Sequence, residues 1–116
     1  MGAAPKLSAP GRGDGRRVSV AVRYLEAHAE DAVDLDTLAK LAGMSKYHFL
    51  RMFRRATGVT PYKYLLGVRL RRAAVKLATT DDAISTIAFD AGFGDLSTFN
   101  NRFKATFGQT PSAFRG

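Results

Sequence analysis

The 116-residue chain predicts an all-α fold in which two helix-turn-helix units are joined by a long linker helix. Three observations carry that expectation. The stretch Leu38–Gly58, LAKLAGMSKYHFLRMFRRATG, has the apolar spacing of two short helices around a glycine turn. The same pattern returns 50 positions later, where Phe49 and Phe53 reappear as Phe99 and Phe103. No segment carries the pattern of a strand.

Taken in order, residues 1–15 (MGAAPKLSAPGRGDG) are rich in Gly, Ala and Pro, with Leu7 the one large apolar side chain of note. A disordered tail or linker is expected there. Arg12, Arg16 and Arg17 leave a second reading open, a basic arm that enters a minor groove. The foldable part, 16–116, opens with a helix over Arg16–Ala29. Val18, Val22, Leu25 and Ala29 share one of its faces, with Ala21 beside them. Asp31, Asp34 and Asp36 crowd the next loop and helix start, where negative charge suits the N-terminal end of a helix dipole. Their spacing matches no calcium loop.

The first unit, about 16–58, centres on the glycine turn. Leu38, Ala39, Leu41 and Ala42 make a short helix, which Gly43 ends in the left-handed conformation. Ser45 caps a second helix. Phe49, Met52, Phe53 and Ala56 form its buried stripe, at i, i+3, i+4 and i+7. Tyr47, Leu50, Arg51 and Arg54 repeat that spacing on the other face, which describes either a DNA-reading helix or the surface of an ordinary αα-hairpin. Thr60 and Pro61 then open the linker helix, about 61–77, since proline is harmless in a first turn. Tyr62, Leu65, Leu66, Leu70, Ala73, Ala74 and Leu77 supply its apolar side. Gly67 weakens it by about 1 kcal/mol against Ala and marks a candidate close contact.

The second unit, about 80–116, repeats the first. Ala39, Ala42 and Gly43 reappear as Ala88, Ala91 and Gly92, and Gly58, Thr60 and Pro61 as Gly108, Thr110 and Pro111. Tyr64 becomes Phe114. The offset grows by one between Gly43 and Phe49, so the second turn is one residue longer. Asp95 takes the capping role of Ser45, and Phe99, Phe103 and Phe107 are the buried stripe. Ser97, Asn100, Asn101 and Lys104 then face outward like Tyr47, Leu50, Arg51 and Arg54. Such groups can pair with base edges and phosphates. A repeat that places polar groups on an equivalent face twice favours DNA over the hairpin reading. A linker of about 17 residues, ~25 Å long, would allow both helices to enter successive major grooves, ~34 Å apart. The two helices differ, so the expected site is asymmetric.

Composition narrows the partners. The net charge is +8, from 18 Lys plus Arg against 10 Asp plus Glu. Between Thr37 and Thr80 stand 10 basic residues and no acidic one, a bias that favours a polyanion. With no Cys there is neither a disulfide framework nor a thiolate metal site. No apolar run approaches a membrane span, and no secretion signal opens the chain. A cytoplasmic, nucleoid-associated setting is expected. His28 and His48 lie in separate helices and show no triad or paired-carboxylate spacing, so no catalytic residue, metal or cofactor is expected. Membrane-surface binding would need a free apolar face, and RNA readers usually expose aromatics on a sheet.

AGMSKYHFLRMFRRATGVTPYKYLLGVRLRRAAVKL and IAFDAGFGDLSTFNNRFKATFGQTPSAFR resemble the DNA-binding domain of AraC/XylS-type bacterial transcription regulators. The resemblance covers about Val18–Arg115. It implies seven helices, two helix-turn-helix units and a linking helix, with major-groove binding to promoter double-stranded DNA. Transcription activation through contact with RNA polymerase is implied too. Carried over by position, Lys46, Tyr47, Leu50 and Arg51 would contact bases in the first unit, and Leu96, Ser97, Asn100 and Asn101 in the second. Arg51 is the candidate for a bidentate guanine contact. Leu50 could meet only a thymine methyl, and Asn101 stands where Arg is frequent, so it favours adenine. Arg54, Arg55 and Lys104 would contact phosphates, as would Ser45. His48 is a phosphate contact or partly packed. Most members carry a separate sensor domain, for which this chain has no room. The effector domain is therefore expected to lie outside it, the chain being either a stand-alone short member or the C-terminal piece of a longer regulator.

Overall fold

A computed structural model of the chain describes residues 12–116 and holds seven α-helices and no strand among them. They are α1 (Arg12–Ala27), α2 (Leu35–Ala42), α3 (Lys46–Thr57), α4 (Pro61–Thr79), α5 (Ile84–Asp90), α6 (Leu96–Phe107) and α7 (Pro111–Arg115). Most of the expected tail, residues 1–11, lies outside the described residues. The described residues fall into two units: 33–65 with 12–28, and 66–116 with Ala29–Ala32.

In the first unit α1 packs on both α2 and α3. Val18, Ala21 and Leu25 are buried on α1, Leu38, Ala39 and Ala42 on α2, and Phe49, Met52 and Phe53 on α3. α1 starts at Arg12, four residues before the expected Arg16. Gly13 and Gly15 are poor helix formers, but Asp14 lies in the first turn, where its charge meets the dipole favourably. Arg16 and Arg17 therefore stand on a helix, exposed, and not on an extended arm. Asp34 caps α2 by accepting from the Thr37 backbone N–H at 2.8 Å, and Gly43 ends it at φ 68°. Ala56, expected in the buried stripe, is exposed.

The first turn of α4 belongs to this unit. Thr60 Oγ1 accepts from the Lys63 N–H at 3.2 Å. The Tyr64 ring meets Phe53 edge-on, 5.8 Å between centroids, and its hydroxyl donates to Glu26 at 2.6 Å. Tyr62 was expected on the apolar side but is 57% exposed, since the side chains of Pro61 and Leu65 take the buried positions on that turn.

The rest of α4 serves the second unit as α1 serves the first. Leu70, Ala73 and Leu77 repeat the buried spacing of Val18, Ala21 and Leu25 and join one core with Ile87, Ala88, Ala91, Phe93, Phe99 and Phe103. α4 runs to Thr79, two residues past the expected end. Its last carbonyls find donors: the Thr79 and Thr80 hydroxyls donate to Val75 and Lys76, and the Arg115 guanidinium donates to Leu77 and Thr80. Gly67 is not a close helix contact. A Cβ there would meet only the tip of Arg71, at 3.2 Å. Gly92, by contrast, is forced twice over. It has φ 107°, and a Cβ would lie 2.9 Å from the Ala29 carbonyl and 2.7 Å from Arg69 Nε. Arg69 holds that corner by donating to the carbonyls of Ala29 (2.6 Å) and Asp31 (2.9 Å).

The two units repeat one another down to their ring contacts. Phe49 and Phe53 lie 5.6 Å apart, as do Phe99 and Phe103. Phe114 meets Phe103 edge-on at 5.3 Å, as Tyr64 meets Phe53. Phe107 is only partly buried, packed against Phe103 and Phe114.

Candidate nucleic-acid interface

α3 and α6 each span 12 residues and are held at both ends by the same devices. Ser45 Oγ accepts from the His48 N–H at 3.2 Å. Asp95 accepts from the Thr98 N–H at 2.7 Å and from the Thr98 hydroxyl at 3.0 Å. Gly58 and Gly108 close the helices at φ 83° and 81°. A capped helix pinned by two buried Phe presents its far side to solvent in a fixed orientation. The Asp95 carboxyl is held below the ordinary range chiefly by the hydrogen bond from the Thr98 backbone, with the Thr98 hydroxyl adding to it. Asp34 is lowered in the same way by Thr37.

On α3 the outer side is basic. Lys46, Arg51, Arg54 and Arg55 are exposed, as are Ser45 and His48, and the helix has no acidic residue. Tyr47 is 71% exposed. The Arg51 guanidinium lies 5.7 Å from the centroid of the Tyr47 ring, one helical turn away. That contact keeps both side chains extended over the same patch. Lys46 pairs with Asp36 at 3.3 Å across the turn, an exposed pair that yields easily to another anion. Leu50 stands apart: at 37% exposed, it lines an apolar groove with Leu25, Leu38 and Leu65. It turns towards its own unit more than the other outer residues do.

α6 carries a more neutral surface. Ser97, Asn101 and Lys104 are exposed, Asn100 is half-buried, and Leu96 is 36% exposed. Thr98, Asn101, Arg102 and Ala105 line one shallow open cleft. The sequence pattern by itself assigns no role to Arg102. It is exposed, whereas its counterpart Met52 is buried. The signal was present in the repeat, as a change from apolar to charged at one register position.

Some of the basic excess is structural. Arg69 is committed to backbone carbonyls, and Arg72 pairs with Glu30 at 3.2 Å. The charge count alone therefore overstated what faces a polyanion. His28 stacks on Tyr24, 4.2 Å between centroids, within α1 and its end.

Two capped, outward-facing helices, each behind a glycine turn and a supporting helix, define a tandem helix-turn-helix DNA-binding module. The profile of a family described as helix-turn-helix domain matches residues 38–116. The regulatory protein SoxS of Salmonella typhimurium is 36% identical over 98 residues, 84% of this chain and 92% of that protein. The DNA-binding domain of the global transcriptional factor AdpA, solved in complex with a target DNA, superposes with a TM-score of 0.80 at 31% identity. That match covers 84% of this chain and 88% of that one. A transcriptional regulator from Chromobacterium violaceum, of the AraC-type DNA-binding-domain class, gives a TM-score of 0.81 at 30% identity, over 90% of this chain and 94% of that one. The chain belongs to the AraC-type helix-turn-helix family of transcription regulators. These relatives are regulators and not enzymes, and no helix among the described residues is long and apolar enough to cross a membrane.

Proposed function

We propose that this chain reads double-stranded promoter DNA with both α3 and α6, each in a major groove and in successive grooves, and regulates transcription from that site. One observation carries the reading. Two helices with equivalent caps, equivalent Phe anchors and equivalent outward positions carry different side chains at those positions. A symmetric binder would need the same residues twice; this chain offers two different readers.

In α3, Arg51 is the guanine contact, with both guanidinium donors free to meet O6 and N7. Tyr47 beside it supplies a flat apolar face, Lys46 a further base-edge contact and Leu50 at most a thymine methyl. In α6, Asn101 is the central reader and favours adenine, flanked by Ser97, while Leu96 and Asn100 border the contact. Ser45, His48, Arg54, Arg55 and Lys104 bind phosphates and set the register of each helix. α4 spaces the readers, between a first reading unit at about 16–58 and a second at about 80–116. Activation would proceed through a contact with RNA polymerase, as the family resemblance implies, in the cytoplasm where promoter DNA lies. The AdpA domain bound to its target DNA supports the DNA part of this reading.

Arg51→Ala tests it at one position. Binding to the preferred duplex should weaken by about 1–3 kcal/mol, with relaxed preference at a single base pair. An equal loss on every duplex would make Arg51 a phosphate contact and remove the base-reading role.

A further inference from the structure

We infer that Arg102 is a second phosphate anchor of α6, set so that Lys104 and Arg102 grip the two opposite walls of one major groove. The inference rests on the proposed DNA reading and adds a residue and a geometry to it.

The burial pattern of α6 sets where its other side chains point. At about 100° per residue, Phe99, Phe103 and Phe107 occupy one arc, which the core holds inward. Asn101 and Ala105 straddle the direction opposite that arc, and both are exposed. Lys104 and Arg102 then stand about 80° to either side of this outward direction. A helix that points its outward residues at base edges directs such flanking residues at the sugar-phosphate walls, one strand on each side. Lys104 alone would hold one wall.

The repeat shows that the position is not an ordinary core site. Its counterpart, Met52, is 5% exposed and is buried on α3 together with Phe49 and Phe53. In α6 the same register position carries an exposed arginine. No ion pair or hydrogen bond among the described residues engages it. Arg69, Arg72 and Arg115 in the same unit are instead committed to carbonyls or to Glu30. Arg102 also shares a shallow cleft with Thr98 and Asn101, so its guanidinium and the proposed adenine reader open on the same surface. The first helix concentrates its cations at Arg54 and Arg55; the second spreads two across its outward face.

The test uses the full chain and a 30-base-pair duplex of arbitrary sequence, with binding followed by anisotropy from about 50 to 200 mM salt. Arg102→Ala should lower the slope of log K against log salt by about 1, and Arg102→Lys should restore it. Lys76→Ala, an exposed cation on α4, should leave the slope unchanged. Thermal melting checks that each variant is folded. On a duplex recovered by selection, phosphate-ethylation interference should be lost on one strand in Arg102→Ala and on the other in Lys104→Ala. An unaltered slope in Arg102→Ala, an equal fall in Lys76→Ala, or losses on the same strand would overturn the assignment and leave the DNA reading intact. A wild-type chain that fails to bind the duplex at all would overturn both.

Discussion

Arg51 and Asn101 hold equivalent positions in the two units, and the difference between them is the source of the proposed asymmetry. Arg51 comes with a partner, the Tyr47 ring, that limits its wandering. Asn101 has Ser97 one turn before it, and the cleft beside it is lined by Thr98, Arg102 and Ala105. Both outward faces were legible in the chain because Tyr47, Leu50 and Arg51, and again Ser97, Asn100 and Asn101, stand at i, i+3 and i+4 away from the Phe stripe. The exact centre of each face was less legible. Leu50, Leu96 and Asn100 looked as outward as their neighbours, yet each is partly covered. A helical wheel cannot tell which flank a supporting helix will shade. Asp95 titrates below the ordinary carboxylate range because the Thr98 N–H and hydroxyl bond its charged form. Its contribution to stability is therefore full above the unfolded carboxylate pKa, about 3.9, and is lost as pH falls through the lower folded value. Asp95→Asn keeps a capping oxygen without the charge. Melts at neutral pH and near pH 3 should show a smaller acid-induced drop in this variant than in the wild type. An identical drop would mean that Asp95 does not titrate with the fold.

Among the elements, the aromatic anchors decide whether each reader is held at all. Phe53 and Phe103 are fully buried, each touching the Phe four residues earlier and an aromatic ring on the following helix. Phe53→Ala or Phe103→Ala should destabilise by about 3–5 kcal/mol through the cavity left behind, measured by denaturant unfolding. Wild-type stability in either variant would show that ring to be misplaced. These anchors, the glycine turns and the caps at Ser45, Thr60, Asp95 and Thr110 could all be read in the sequence, since each depends on residues within a few positions. The element ends could not. α1 begins at Arg12 despite two glycines, and α4 reaches Thr79 because Arg115, far along the chain, helps satisfy its last carbonyls. Nor could the chain show that Arg69 would bind Ala29 and Asp31, 40 and 38 positions away. The end of α4 and the Arg69 contacts depend on tertiary partners that local pattern does not encode.

For the whole molecule, the repeat is the organising fact. One long helix closes the first unit with its opening turn and supplies the supporting face of the second with Leu70, Ala73 and Leu77. The sequence pattern marks it as a linker, and it is also the first helix of the second unit. Sharing a helix in this way lets about a hundred residues carry two readers, where a dimeric regulator uses two chains. The proposed consequence for DNA is a site in two unlike halves.

Selection of bound duplexes from a random library of about 30 base pairs, at roughly 150 mM salt, tests this most directly. One asymmetric motif in two blocks, about one helical turn apart, is the expected result. Arg51→Ala should erode one block, and Asn101→Ala the other. A palindromic motif, or a single block that neither substitution at Asn101 nor truncation of α6 side chains alters, would contradict the claim that one chain carries two different readers.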